Sequence, residues 1–189
     1  DPQVALQLLR HCASFGKIVY LARVTPVGLL GDELRRFDSG VRSCFESISG
    51  LRPDDSQWRQ ASLATRHGGL GLRSAQEHHA AAFIASYSSC RPLCRDIDKQ
   101  HVPDVAVLGR AVSSLNSALL EPDRVPASVP HPLRQQQLSL ALERAALASL
   151  LPPVPQNLEF RAHLPLLLEP HAASRPPPPP SPPPPPVVP

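Results

Sequence analysis

At 189 residues with a net charge of +3, the chain is long enough for one modest domain plus an extension, and it is only mildly basic. That balance falls short of the dense positive surface of an autonomous nucleic-acid binder. No run of about 18 apolar residues offers a membrane span, and Cys12, Cys44, Cys90 and Cys94 lack the spacing of a secreted disulfide framework, which favours an intracellular, reducing setting. Arg10, Lys17 and Arg23 interrupt the apolar stretch near the start, so a signal peptide is disfavoured. The chain begins Asp1-Pro2 and contains no methionine, so the expectation is a fragment or a mispredicted exon of something longer.

From Pro2 to about Arg23, Val4, Leu8, Cys12, Phe15, Val19 and Ala22 step by three and four, predicting one helix ended by Thr25-Pro26. A second helix is expected over 29–49 on Leu30, Leu34, Phe37, Val41, Phe45 and Ile48, with Gly50 as its left-handed cap. Joined by a short turn, the two form an antiparallel pair. Asp54 and Asp55 open a third, shorter helix carrying Trp58, Ala61 and Ala64, because aspartates accept the free amides of a first turn. The loop Gly68-Gly69-Leu70-Gly71 needs glycine for positive φ or a close approach, while Leu70 and Leu72 anchor it. Ser74 and Glu77 then form a capping box ahead of a helix to about Ser88, whose Ala80-Ala81-Ala82 predicts close packing and whose His78 and His79 are expected at the surface.

Beyond Cys90 a helix over 104–120 presents Val105, Leu108, Val112, Leu115 and Leu119. Pro122, Pro126, Pro130 and Pro132 mark a linker, and Leu138, Leu142, Ala145 and Ala148 predict a helix over 133–151 that tolerates Pro132 at its first turn. A short helical piece is expected within 156–168. The tail carries two runs of five prolines split by Ser181 and reads as a disordered, extended rod able to dock on SH3, WW or EVH1 grooves. No period-two strand emerges. The expected fold is all-α, an irregular helical bundle with a disordered proline-rich C-terminal tail, divided as 1–90, 91–121, a linker at 122–132, 133–170, and the tail at 171–189.

Several segments together resemble the region downstream of the polymerase palm in retrotransposon reverse transcriptases of the non-LTR and related kinds. They are the stretch from Leu9 to Pro26, then Trp58-Arg59-Gln60-Ala61-Ser62-Leu63, then Gly68-Gly69-Leu70-Gly71-Leu72-Arg73-Ser74. Trp58, Gln60, Ala61, Gly68, Gly69 and Gly71 carry the motif, and the resemblance covers about residues 5 to 88. It implies a helical thumb or post-thumb segment that supports an upstream polymerase domain and meets the backbone of a template-primer RNA–DNA duplex. Arg66 and Arg73 flank the glycine loop and are the first residues expected to contact phosphate, with Lys17 and Arg23 after them.

The polymerase chemistry itself needs aspartates on an aromatic-x-Asp-Asp turn to hold two metal ions. The chain's Asp-Asp is Asp54-Asp55, preceded by Arg52-Pro53 and reading as a helix start, so no catalytic residue and no cofactor is expected in this segment. Cys90 and Cys94 form one Cys-x3-Cys pair near His101, too few ligands in paired spacing for a structural zinc site. The glycine loop has no preceding strand and no Lys-Ser or Lys-Thr after it, which excludes a phosphate-cradling nucleotide loop. The alternative class is a stand-alone helical interaction module that recruits partners through its polyproline tail.

Overall fold

Short helices follow one another from Asp1 onward in the computed structural model, which describes residues 1–127 and 132–150. The first, α1 (Pro2–Leu8), starts where the Asp1 carboxylate accepts from the Gln3 amide at 2.8 Å and Pro2 fills the first turn. The single helix expected over 2–23 is instead broken. A π-helical turn at Leu9–Ala13 ends at Ser14, whose extended backbone and whose hydroxyl, donating to the Arg10 carbonyl at 2.6 Å, interrupt the ladder before α2 (Phe15–Val24). The break also corrects the expected face: Val4, Leu8 and Cys12 are exposed, and Leu9 takes the core position ahead of Phe15 and Ala22, because the wider π-turn rotates the first helix relative to α2.

The helix expected over 29–49 is α3 (Gly31–Ser49), closed by Gly50 at φ 71°. Next, α4 (Asp55–Ser62) begins with a complete capping box: Asp54 accepts from the Gln57 amide at 2.9 Å, and the Gln57 side chain accepts from the Asp54 amide at 3.0 Å. The long helix α5 (Ala75–Ile97) begins at Ser74 as expected but runs nine residues past Ser88, through Pro92, into a largely exposed last stretch. Then come α6 (Val105–Ala118), capped by Asp104, and α7 (Gln135–Leu150). Helices account for all regular structure among the described residues, and the fold is all-α.

The core is organised around α5. One of its faces, through Ala75 and Ala82, packs with Phe15, Ala22 and Leu34 of α2 and α3. Another, through Ala80, Ala81, Ile84 and Ala85, packs with Leu108, Ala111, Val112 and Leu115 of α6 and with Leu138, Ala141 and Leu142 of α7. The alanines are small enough to bring neighbouring helices close, as their run predicted. A third cluster seats Leu9, Val41, Phe45 and Leu72 together, with Trp58 and Leu70 against it.

Two expectations, the pairing of the first helices and the buried face of α6, are corrected here. α2 lies chiefly on α5 instead of forming an antiparallel pair with α3, because the small side chains that permit close approach are on α5. A boundary at residue 90 falls inside α5, and the described residues belong to one compact unit. The described helices of the stretches assigned to 1–90, 91–121 and 133–170 therefore share a core. Val105, expected on the buried face of α6, is 74 % exposed because it sits in the first turn, ahead of the packed stripe. Residues 128–131 of the linker, the short helix expected within 156–168 and the proline tail lie outside the described residues.

The start of α5 is held from a distant helix. Asp38 on α3 accepts from the Ser74 hydroxyl at 2.6 Å and from the amides of Ala75 and Gln76 at 2.7 and 3.2 Å. A carboxylate on two first-turn amides satisfies donors that the helix cannot, and it complements the helix dipole. Asp38→Ala is expected to cost about 2 kcal/mol in urea unfolding. A loss below about 0.5 kcal/mol would show that solvent replaces the cap.

Candidate nucleic-acid interface

The motif that carries the reverse-transcriptase resemblance folds as one physical unit. Its glycine loop doubles back under α4, so that the amides of Leu70 and Gly71 donate to the carbonyls of Ala61 and Leu63, each at 2.8 Å, and the Gly69 amide reaches Ala64 at 3.3 Å. The Ala61 carbonyl is one that α4 leaves without an internal donor at its C-terminal end, and Leu63 and Ala64 follow directly after the helix. Gly68 and Gly71 adopt φ of 76° and 74°. Gly69 has a different reason to be glycine: a β-carbon there would overlap the Leu63 carbonyl and stand 2.7 Å from the Gln60 oxygen. Trp58 closes the other side of α4, tilted on Phe45 at 5.6 Å with the Arg42 guanidinium 5.7 Å from its ring centre. The tandem of Trp58, Gln60 and Ala61 with Gly68, Gly69 and Gly71 is thus a capped helix end. Arg66 stands at the entrance of its loop and Arg73 at the exit.

Three of the four basic residues singled out from the sequence converge. A cleft of about 400 Å³ between α2 and α7 is lined by Phe15, Val19 and Arg23 from α2, Arg66 and Arg73 from the glycine loop, and Gln135, Ser139 and Glu143 from α7. Lys17 is exposed on α2 but does not line the cleft, because six residues along a helix separate it in angle from Arg23. Arg23 donates through Nε and Nη2 to Oε1 of Gln135 at 3.0 and 2.8 Å. Arg73 Nη2 donates to Oε1 of Glu143 at 2.9 Å, and Arg66 pairs with the other carboxylate oxygen. His67 Nε2 lies 3.9 Å from that second oxygen.

Glu143 is only 4 % exposed, whereas the Arg66 and Arg73 side chains keep 50 % and 38 % of their surface. A buried carboxylate without cationic partners would be costly, so the two arginines anchor α7 as well as lining the cleft. Neither Glu143 nor Gln135 was singled out from the sequence. The available signal was that Glu143 is the acidic residue of α7, one place from the buried Leu142.

His78 and His79 are buried, at 5 % and 4 % exposure, which overturns their expected surface position. Both rings have internal acceptors that make burial affordable. His79 Nε2 donates to the Thr25 carbonyl at 2.8 Å, pinning the end of α2 to α5, and His78 Nδ1 donates to the Ser74 carbonyl at 3.1 Å. His78 stacks obliquely on Phe15 at 5.5 Å, and its Nε2 has no hydrogen-bond partner among the described residues. Burial, reinforced by the nearby Arg73 charge, lowers its pKa to about 4, so the ring is neutral near pH 7. His78 also lines a second cleft of about 280 Å³ with Trp58, Leu63, Leu72 and Leu142, and the Arg73–Glu143 pair borders both clefts. There, desolvation raises the Glu77 carboxyl above the ordinary range against the opposing pull of Arg59.

Cys90 and Cys94 stand one turn apart on the outer part of α5, Cys90 exposed and Cys94 partly so. Among the described residues no group of three or more His, Cys, Asp or Glu side chains is placed to hold a metal ion. No helix among them is long and apolar enough to cross a membrane. Comparison with family models, with curated proteins and with solved structures finds no match to this chain.

Proposed function

We propose that this chain is the helical, non-catalytic region downstream of the palm in a retrotransposon-type reverse transcriptase, where it supports the polymerase domain and contacts the sugar-phosphate backbone of the template-primer duplex. The observation that carries the reading is the convergence of Arg23, Arg66 and Arg73 on one cleft from well-separated points in the chain. Guanidinium groups present planar forks that suit phosphate oxygens, and contacts of this kind position a duplex without reading its sequence. The motif that resembles the reverse-transcriptase region is the scaffold for two of these arginines. Tyr20, Val24 and Leu29 leave apolar surface near the end of α2, at 76 %, 53 % and 69 % exposure, as a face that an adjoining polymerase domain would cover.

The test is binding of the purified chain to a short RNA–DNA hybrid across a salt series. Affinity is expected to fall steeply with salt, and Arg23→Ala combined with Arg66→Gln and Arg73→Gln is expected to weaken it at least tenfold. The salt slope should flatten by about 0.9 for each phosphate contact removed. Because the triple variant takes both cationic partners from the buried Glu143, circular dichroism and the single Arg23→Ala variant, which leaves Glu143 paired, separate loss of binding from loss of fold. Equal affinity and slope in the triple variant would remove the cleft from the proposal.

A further inference from the structure

All three arginines of the cleft are already engaged: their side-chain oxygen acceptors come from the same helix, and Arg66 Nε also donates to Nε2 of its neighbour His67 at 3.1 Å. Gln135 at the start of α7 takes two donors from Arg23, and Glu143, two turns along, takes one each from Arg66 and Arg73. Oxygen acceptors set against guanidinium groups along one edge reproduce the contacts that a run of phosphates would make. We infer that α7 is an autoinhibitory element, an internal phosphate mimic that occupies the cleft and must be exchanged for nucleic acid. This rests on the proposed backbone-binding role of the cleft.

The asymmetry of exposure shapes the competition. Arg66 and Arg73 are half-open and can be reached from solvent, but Glu143 is 4 % exposed and loses its compensation when they turn away. Binding therefore carries the penalty of leaving a buried carboxylate unpaired. The apolar stripe of α7, Leu138, Ala141 and Leu142, stays packed in the core, so the exchange requires side chains to swing without unseating the helix. Gln135 is the softer half of the lock, since it is neutral and only half-buried at the start of α7.

The experiment measures affinity of the full chain for a short RNA–DNA hybrid between about 50 and 200 mM salt, comparing wild type with Glu143→Gln, Gln135→Ala and Gln135→Glu. Glu143→Gln is expected to bind about tenfold tighter, since one fewer carboxylate competes for two guanidiniums. Gln135→Ala should bind about threefold tighter and Gln135→Glu about threefold weaker, a change of sign at one half-buried position that a merely structural role would not produce. If wild type binds through the arginines but Glu143→Gln is no tighter, the inhibition is overturned while the backbone-binding role stands. If neither wild type nor any variant binds, both are overturned. Should Glu143→Gln fail to fold by circular dichroism, the Gln135 pair decides: opposite shifts support the lock, and unchanged affinity in both overturns it.

Discussion

Gly69→Ala is expected to be the most destabilising single-methyl change in the motif, on the order of 3 kcal/mol, because the added carbon meets backbone that cannot step aside. The atoms in its way are the Leu63 carbonyl and the Gln60 oxygen, both fixed within the turn that ends α4. Moving them would break the hydrogen bonds from Leu70 and Gly71 to Ala61 and Leu63. Gly68 supplies an internal control. It has φ of 76° but open space around its missing side chain, so Gly68→Ala carries only the left-handed backbone cost of about 1 kcal/mol. Urea unfolding of the two variants beside wild type makes the comparison, and equal midpoints for both would refute the packing argument. Gly71→Ala belongs between them, since the nearest obstacle is the Arg10 guanidinium, 2.9 Å away on a side chain that can move.

The second large effect is acid lability set by His78. In the unfolded chain its imidazole titrates near 6.5, whereas burial and Arg73 hold the folded group at about 4. The fold thus refuses a proton that the unfolded chain accepts. Stability from this group is complete above about pH 6.5 and is lost progressively as pH falls toward 4, amounting to about 2 to 3 kcal/mol between pH 7.5 and 4.5. Ser74 and Glu143 oppose the shift through a hydrogen bond and a negative charge, but desolvation prevails. His78→Gln removes the titration while leaving other groups in place, so the measured quantity is the difference between the two pH profiles of urea stability. Parallel profiles would show that the ring is not held neutral by the fold.

Much of the helical pattern was legible because it depends on local chemistry. Asp54, Gly50 and Ser74 each mark a helix end through their own side-chain or backbone preferences, and the structure places α3, α4 and α5 at those marks. The spacing of Leu108, Val112 and Leu115 likewise identifies the face of α6 that meets the core. What escaped was non-local. The π-turn before Ser14 shifts the apolar side, burying Leu9 and exposing Val4, Leu8 and Cys12, although their spacing continues that of Phe15 and Ala22 without a break. Burial of His78 and His79 depends on carbonyls at Ser74 and Thr25 and on the ring of Phe15, and the last two are more than fifty residues away in sequence.

The candidate cleft divides in the same way. Arg66 and Arg73 drew notice by flanking the glycine loop, a local signal. Their shared acceptor Glu143 lies 77 and 70 residues away and emerges only when α7 folds back across α2 and α4. Asp38 is a similar case, a carboxylate on the mixed surface of α3 whose partners begin 36 residues later. Single charges on amphipathic helices look solvated in sequence until tertiary structure supplies the other half of the pair.

The central placement of α5 has a consequence for how this region can be divided or joined to anything else. Its alanine faces serve α2 and α3 with one set of positions and α6 and α7 with another. Neither set of neighbours has a substitute for the surface it would lose. A cut anywhere along the packed part of α5 would leave two amphipathic remnants, each missing the wall on which its core is built. The described helices are therefore inherited as a whole: a rearrangement that carries α1 to α4 without α6 and α7 transfers a motif but not a folding unit.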